Sequence, residues 1–224
     1  MMNKIAFLSL ILCLCVFSNS FGAFVYWGGG MKDGSATTFD WFNGGSDNGL
    51  FGDPVLVGGN TFVFTPQNFR ADSLDGVSGT AADRLEVTLV AKPGQMITGI
   101  RITEFGDYGI TGNGEVRISG GLFMTNMVEF DVADSELNVV NPATPITSGA
   151  GNWKAVGEIT GLDWTNVNFV MDNNLQAITV GSGSNSYVQK KITGGSVTIE
   201  IIPEPASLGL LGLGTLFLVR NRKK

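Results

Sequence analysis

The sequence predicts an all-β protein, an antiparallel β-sandwich of jelly-roll-like form. It also predicts an N-terminal signal helix and a C-terminal transmembrane-like helix on either side of that domain. Three observations favour this reading. Apolar and polar residues alternate with period two along many segments. Glycine-rich turns separate those segments, and glycine contributes 32 of the 224 residues, against a typical share of ~7%. A charge-free apolar run lies near each end of the chain.

The N-terminal segment has the form of a secretory signal. Lys4 supplies a positive start, and residues 5–17 are almost wholly apolar. A helix of that length would span about 20 Å, which is short of the ~30 Å hydrocarbon core. Small residues follow and predict cleavage by signal peptidase between Gly22 and Ala23. Residues 1–22 are therefore expected to be a signal peptide that directs the chain through the Sec translocon.

Residues 23–201 form the predicted β-sandwich core. Leu85, Val87 and Leu89 illustrate the alternation, since they share one face while charged or polar residues occupy the other. We expect about nine to eleven strands and two sheets packed face to face. The clearest strand patterns cover residues 61–64, 84–89, 99–103, 115–119, 128–132, 167–171, 177–180 and 196–201.

Turn residues separate these patterns. Glycine, proline, aspartate and asparagine favour turns because they adopt or stabilise backbone conformations that strands do not use. Long loops and edge strands are expected over residues 28–59. Turns are predicted at residues 92–94, 112–114, 120–121, 172–174, 181–183 and 194–195.

Charge and cysteine content limit the partners and the chemistry. The full chain carries a net charge of −6, but the core alone has 9 basic and 19 acidic residues. Such an acidic domain is a poor nucleic-acid binder, because that affinity depends on Lys and Arg neutralising phosphates. Cys13 and Cys15 both lie in the signal segment, so the core is expected to hold no disulfide.

The residue types needed for many catalytic sites are absent. The chain has no histidine, which removes Ser-His-Asp and Cys-His arrangements and the commonest zinc ligand. A glycosidase needs only two carboxylates, and the core's acids do not single out a pair. We therefore expect no enzyme and no cofactor.

Calcium and sugars are the ligands that remain to be considered. Asp47, Asn48 and Asp53 could supply oxygens to Ca²⁺, and Asp107 is a second candidate; Asx-turns explain these residues better. Four tryptophans could stack on sugar rings, although core packing is the better explanation for each. They are Trp27, Trp41, Trp153 and Trp164.

The C-terminal 23 residues read as a removable anchor. Pro203, Glu204 and Pro205 should end the preceding strand and hold the chain extended. Residues 206–219 carry no charge and would span about 21 Å as a helix. A basic stop that should stay on the cytoplasmic side follows. It consists of Arg220, Arg222, Lys223 and Lys224.

This combination of tripeptide, apolar run and basic end closely resembles the PEP-CTERM sorting domain. The resemblance covers residues 202–224 and implies that Pro203, Glu204 and Pro205 are the recognition motif for an exosortase, a membrane-embedded protease or transpeptidase. It also implies export, transient anchoring in the inner membrane, and delivery to the cell surface or the exopolysaccharide matrix.

For the core itself the sequence favours a non-catalytic structural or adhesive β-sandwich. The alternative is a carbohydrate-binding module that is retained in exopolysaccharide. A secreted hydrolase is a third reading, because paired carboxylates are enough for glycoside hydrolysis.

Overall fold

The computed structural model describes residues 23–191 and 194–204. All regular structure in these residues is β, and the strands pair antiparallel throughout. The fold class predicted from the sequence is confirmed at this level: all-β, antiparallel, and consistent with a sandwich. The jelly-roll-like form stays a prediction. The two flanking helices fall on residues outside the described ranges.

Fifteen strands build two sheets. In chain order they are β1 Val25–Tyr26, β2 Gly34–Ser35, β3 Phe39–Ser46, β4 Val55–Val57, β5 Thr61–Phe64, β6 Arg70–Leu74, β7 Gly79–Ala91, β8 Ile97–Thr111, β9 Gly114–Asn126, β10 Val132–Glu136, β11 Asn138–Asn141, β12 Gly149–Trp164, β13 Asn166–Thr179, β14 Asn185–Lys190 and β15 Val197–Pro203.

The first sheet has the order β1-β3-β7-β13-β9-β10, with β2 added beside β3. The second has the order β11-β12-β8-β15-β5-β4. In the second sheet β8 changes partner along one edge. Its first part pairs with β15 up to Glu104, and its last part pairs with β14 from Gly106 onward. Strand β14 in turn pairs with β6.

The two sheets bury their facing sides against each other. Phe62 of β5 in the second sheet contacts Phe39 and Trp41 of β3 in the first, with ring centroids 6.1 and 5.2 Å apart. Trp27 joins the same cluster, 5.4 Å from Phe62 and 5.4 Å from Phe64. Aromatic pairs in such tilted and edge-to-face arrangements add to the free energy gained from burial.

Several local predictions are wrong, for physical reasons that the structure makes plain. Residues 128–132 were predicted as a strand, but most of them lie in the turn and loop before β10. Asn126 Oδ1 accepts the Val128 N–H at 2.9 Å, which stabilises that turn. Residues 120–121 and 172–174 were predicted as turns, but they lie inside β9 and β13. Glycine suits β9 because a Cβ on Gly120 would lie 2.5 Å from the Asp172 carbonyl oxygen.

The strand count also exceeds the nine to eleven predicted. Short strands such as β1, β2 and β4 have two or three residues and are too short to display a period. Strand β12 is long, but its inward-facing row includes Gly157, which interrupts the apolar pattern. A Cβ on Gly157 would lie 2.5 Å from Leu122 Cδ1, so close packing requires glycine there.

The aromatic cluster gives a first prediction. Phe62→Ala should lower the free energy of unfolding by about 3–5 kcal/mol, because it opens a cavity between the sheets. Phe42→Ala is the matched control, since Phe42 is 42% exposed and its loss should cost no more than about 0.5 kcal/mol. Urea denaturation of the purified full chain measures both. Equal effects would contradict the packing described here.

Candidate functional site

The C-terminal strand leads directly into the predicted recognition motif. β15 lies between β8 and β5 and runs two residues beyond the predicted strand end, to Pro203. The Glu204 N–H donates to the Met96 carbonyl at 3.1 Å, and Thr98 Oγ1 donates to the Ile202 carbonyl at 3.0 Å. A proline is tolerated here because the β8–β15 register shifts between Ile202 and Pro203, as at a β-bulge. The motif therefore begins at the end of a central strand.

Most other predicted sorting residues fall outside the described ranges. Ala23 is the first described residue and is exposed. Gly22, Pro205 and the four residues of the basic stop are not among the described residues. No helix that could span a bilayer occurs in residues 23–191 and 194–204.

A groove of about 800 Å³ crosses the outer face of the first sheet. Gly121 lies at its centre, paired in register with Asp172 on one side and Glu136 on the other. Asp172 in turn pairs with Arg84. Residues directly opposite each other in neighbouring strands point to the same face. Gly121 has no side chain, so the surface is lower there than at Asp172 and Glu136 on either side.

The groove is acidic and contains one exposed aromatic ring. Phe123 is 40% exposed and is paired with Asp134 across the β9–β10 ladder. Arg84 is the basic residue in its lining, with its guanidinium 3.0 Å from Glu86 and 3.9 Å from Asp172. The acidic residues of the lining whose side chains are not buried are Asp47, Asp134, Glu136 and Asp172.

Asp83 organises the loop at one end of this groove. Its carboxylate is buried and accepts the Ser46 hydroxyl at 2.8 Å. It also accepts the N–H groups of Asn48 and Leu50, at 2.8 and 2.7 Å. Sequence reasoning missed this residue. It lies in a strand on the apolar-facing row, and only the fold shows which loop it meets.

The calcium candidates are spread over separate local contacts. Asp53 Oδ1 accepts the Gly28 N–H at 2.6 Å, whereas Asn48 Nδ2 donates to the Ala82 carbonyl at 3.1 Å. Asp107 lies on β8 opposite Gln189 of β14. In the part of the chain that the structure describes, no three acidic side chains are grouped to hold a metal ion.

All four tryptophans belong to the core. Their exposed fractions are 4% for Trp27, 4% for Trp41, 1% for Trp153 and 8% for Trp164. Trp41 Nε1 donates to the Met31 carbonyl at 2.7 Å, and Trp153 Nε1 donates to the Gln189 carbonyl at 3.1 Å. The expectation of core packing is confirmed for each, so Phe123 rather than a tryptophan supplies the ring in the groove.

A cluster of polar side chains lies inside the sandwich. Lys190 Nζ is 2.7 Å from Glu104 Oε2, and both side chains are fully buried. Asn173 Nδ2 donates to both Glu104 oxygens at 2.8 Å. Burial lowers the pKa of Lys190, and the neighbouring Glu104 only partly opposes that shift. We call Lys190, Glu104 and Asn173 the buried triad. Sequence reasoning missed it and placed Asn173 in a turn.

Comparison with protein families identifies the tail. The family model described as the PEP-CTERM protein-sorting motif matches residues 202–223. The chain therefore carries this motif, as the resemblance indicated. The motif implies exosortase-dependent sorting of an exported protein, with exosortase as its processing partner. The comparison with curated proteins found no match.

The Asp83 network gives a second prediction. Asp83→Ala should lower the free energy of unfolding by about 2–3 kcal/mol, because it leaves the loop N–H groups without their charged acceptor. Asp47→Ala is the control and should change it by no more than about 0.5 kcal/mol. Thermal unfolding with and without Ca²⁺ measures both variants. A calcium-dependent rise in Tm that Asp47→Ala abolishes would contradict this account of the loop.

Proposed function

We propose that this protein is exported through its N-terminal signal and held briefly in the inner membrane by its C-terminal tail. Exosortase then processes the tail and delivers the β domain to the cell surface or the exopolysaccharide matrix. There the domain acts as a non-catalytic structural or adhesive module. The observation that carries the proposal is the sorting motif at residues 202–223.

The order of segments supports a transient anchor. The run of 14 uncharged residues at 206–219 is shorter than the ~20 residues of an ordinary membrane-spanning helix. The motif begins at the last residue of β15 and directly precedes this run, so a membrane-bound protease would meet it at the membrane surface. Cutting there would free the folded domain whole, because β15 ends at Pro203.

Residue content supports a non-catalytic role. The chain has no histidine, and both of its cysteines lie within the first 22 residues. Pairs that use a histidine base or a cysteine nucleophile therefore have no source in the core. A two-sheet domain with a buried hydrophobic core suits a structural or adhesive unit.

The sorting proposal predicts exosortase-dependent loss of the tail. An epitope inserted after Gly94, in the turn between β7 and β8, marks the domain without entering a strand. In a host with exosortase the epitope should appear outside the cell without the tail, and in a host lacking exosortase the tail should remain. A triple alanine replacement of Pro203, Glu204 and Pro205 should retain the tail, whereas Glu200→Ala should not.

Retention of the tail in both hosts would contradict exosortase processing and favour a permanent anchor. Loss of the tail in both hosts would assign the cut to another protease.

The outer groove favours carbohydrate binding as a second candidate function. Sugar sites combine a ring surface for stacking with a few carboxylate or amide groups that bind hydroxyls. Phe123 offers the ring, while Asp172 and Asn174 offer the polar groups. Because acidic groups dominate the lining, a neutral or amino-containing glycan fits better than an anionic one.

This second function predicts binding that depends on Phe123. Phe123→Ala should weaken binding to a responsive neutral or amino glycan about tenfold, the loss of one stacked ring. Phe42→Ala is a matched control, because Phe42 lies on the same sheet with a similar exposed fraction of 42%. A glycan array with the full chain measures this.

Absence of binding to every glycan, or equal binding by the two variants, would leave only the structural role. Turnover of any polysaccharide in the same samples would contradict the non-catalytic assignment.

A further inference from the structure

The buried triad joins the two sheets at one point. Asn173 projects inward from β13 in the first sheet. Glu104 and Lys190 project inward from β8 and β14 in the second sheet. Glu104 lies where β8 changes partner from β15 to β14, and Lys190 pairs with Gly106, two residues further along β8. The strand exchange therefore places both side chains beside each other.

We propose that Lys190 and Asn173 become linked by an intramolecular isopeptide bond, formed by the protein itself with Glu104 as the proton-transfer group. The inference is independent of the sorting motif and of the outer groove. It rests on the identity of the three side chains, their contacts and their burial.

Stability alone is a poor explanation for this triad. Burying two charges costs several kcal/mol per ion, and apolar residues of similar volume are often as stable or more so. Here the exposed fraction of each charged side chain is 0%. Among the described residues, neither Lys190 Nζ nor Asn173 Oδ1 has an aligned hydrogen-bond partner. Buried polar groups without a partner need an explanation, and a chemical role is one such explanation.

The surroundings of Lys190 favour a nucleophilic amine. Three aromatic rings surround Nζ, with centroids at 5.5 Å for Phe51, 4.8 Å for Phe69 and 5.6 Å for Trp153. All three rings are almost fully buried. A lysine amine becomes nucleophilic when it loses its proton, and an apolar pocket promotes that loss. The lowered pKa of Lys190 is the expected consequence of this burial.

The pocket also depends on Gly106. A Cβ at this position would lie 2.3 Å from the Trp153 ring, so any larger residue would displace the indole that covers Lys190. Excluding water matters, because water would compete with the amine for the asparagine carbonyl carbon. The fold therefore protects the reacting groups as well as positioning them.

Glu104 is placed to move protons between the incoming and leaving nitrogens. Its Oε2 atom lies 2.7 Å from Lys190 Nζ and 2.8 Å from Asn173 Nδ2. A general acid–base group must lie within hydrogen-bonding reach of both partners. The same carboxylate oxygen contacts the nucleophile and the leaving group.

The atoms balance without any added reactant. Lys190 Nζ forms a bond to Asn173 Cγ, and the bond from Cγ to Nδ2 breaks. Of the three protons on the Lys190 ammonium, one stays on the new amide nitrogen. A second passes through Glu104 to Nδ2, which leaves as ammonia. The third remains on Glu104, so the charge of the site is neutral before and after the reaction.

The product would tie β13 to β14, and hence one sheet to the other. Covalent closure of a loop of this kind stabilises a fold mainly by restricting the unfolded chain. The chain's two cysteines lie within the first 22 residues, so the core has no disulfide for this purpose.

Peptide mapping of the purified full chain tests the proposal directly. Trypsin should fail to cut after Lys190 and should yield residues 155–191 as one peptide, lighter by one ammonia, about 17 Da. Chymotrypsin should then cut after Leu175 and Tyr187 and leave a branched peptide that contains Asn173 and Lys190. The bond should form in any expression host, because no other enzyme is required.

Variants separate this link from other losses of ammonia. Asn173→Ala and Glu104→Gln should both lack the branched peptide, whereas the neighbouring controls Asn174→Ala and Lys191→Ala should keep it. Asn173→Ala should also lower Tm by about 10 °C relative to Asn174→Ala, as expected for an opened loop of this length.

The wild-type protein alone can overturn the proposal, even if a variant fails to fold. Ordinary tryptic cleavage after Lys190, with both residues recovered at unmodified mass, would leave a non-covalent ion pair. A branched peptide lighter by one water would contradict the assignment to Asn173 and would place the link on Glu104.

Discussion

The contact between the inner faces of the two sheets is the constraint on which the rest of the molecule depends. The Phe62 ring of β5 packs on Phe39 and Trp41 of β3, so residues from opposite sheets share one core. Glycine keeps the sheets close where a side chain would not fit, as at Gly157 facing Leu122. The buried triad follows from that face-to-face packing, because it joins side chains of both sheets.

Inside this packed interior, two carboxylates are held by specific partners. Asp83 is buried because it accepts a hydroxyl and several N–H groups of the adjacent loop. The Glu104 carboxylate is buried because Lys190 and Asn173 contact it there. The Asp83 contacts hold the adjacent loop in place. The buried triad instead brings a nucleophile, a proton carrier and an amide into one apolar pocket.

Sequence patterns predicted the parts of the fold that show regular alternation. Strands β7, β8, β9, β13 and β15 each contain a segment that period-two reasoning identified, and β5 matches a segment predicted as a more fully buried strand. Strand β12 was missed because Gly157 interrupts its apolar row. Asn173 was placed in a turn because Asp-Asn-Asn favours turns locally. Its actual partner, Glu104, is 69 residues away in sequence, so no local pattern contains that contact.

The candidate sites also differ in whether the sequence alone could predict them. The sorting motif consists of contiguous residues, so it could be identified from the sequence alone. The groove and the triad are assembled from separate strands, so only the fold brings their residues together.

In the proposed route the protein is exported and then loses both of its terminal segments. Terminal peptide mass spectrometry of the protein collected from the cell surface tests it most directly. The expected product is a chain that starts at Ala23 and ends before the apolar run at 206–219. Recovery of the uncut polypeptide, with Met1 and Lys224 both present, would contradict it.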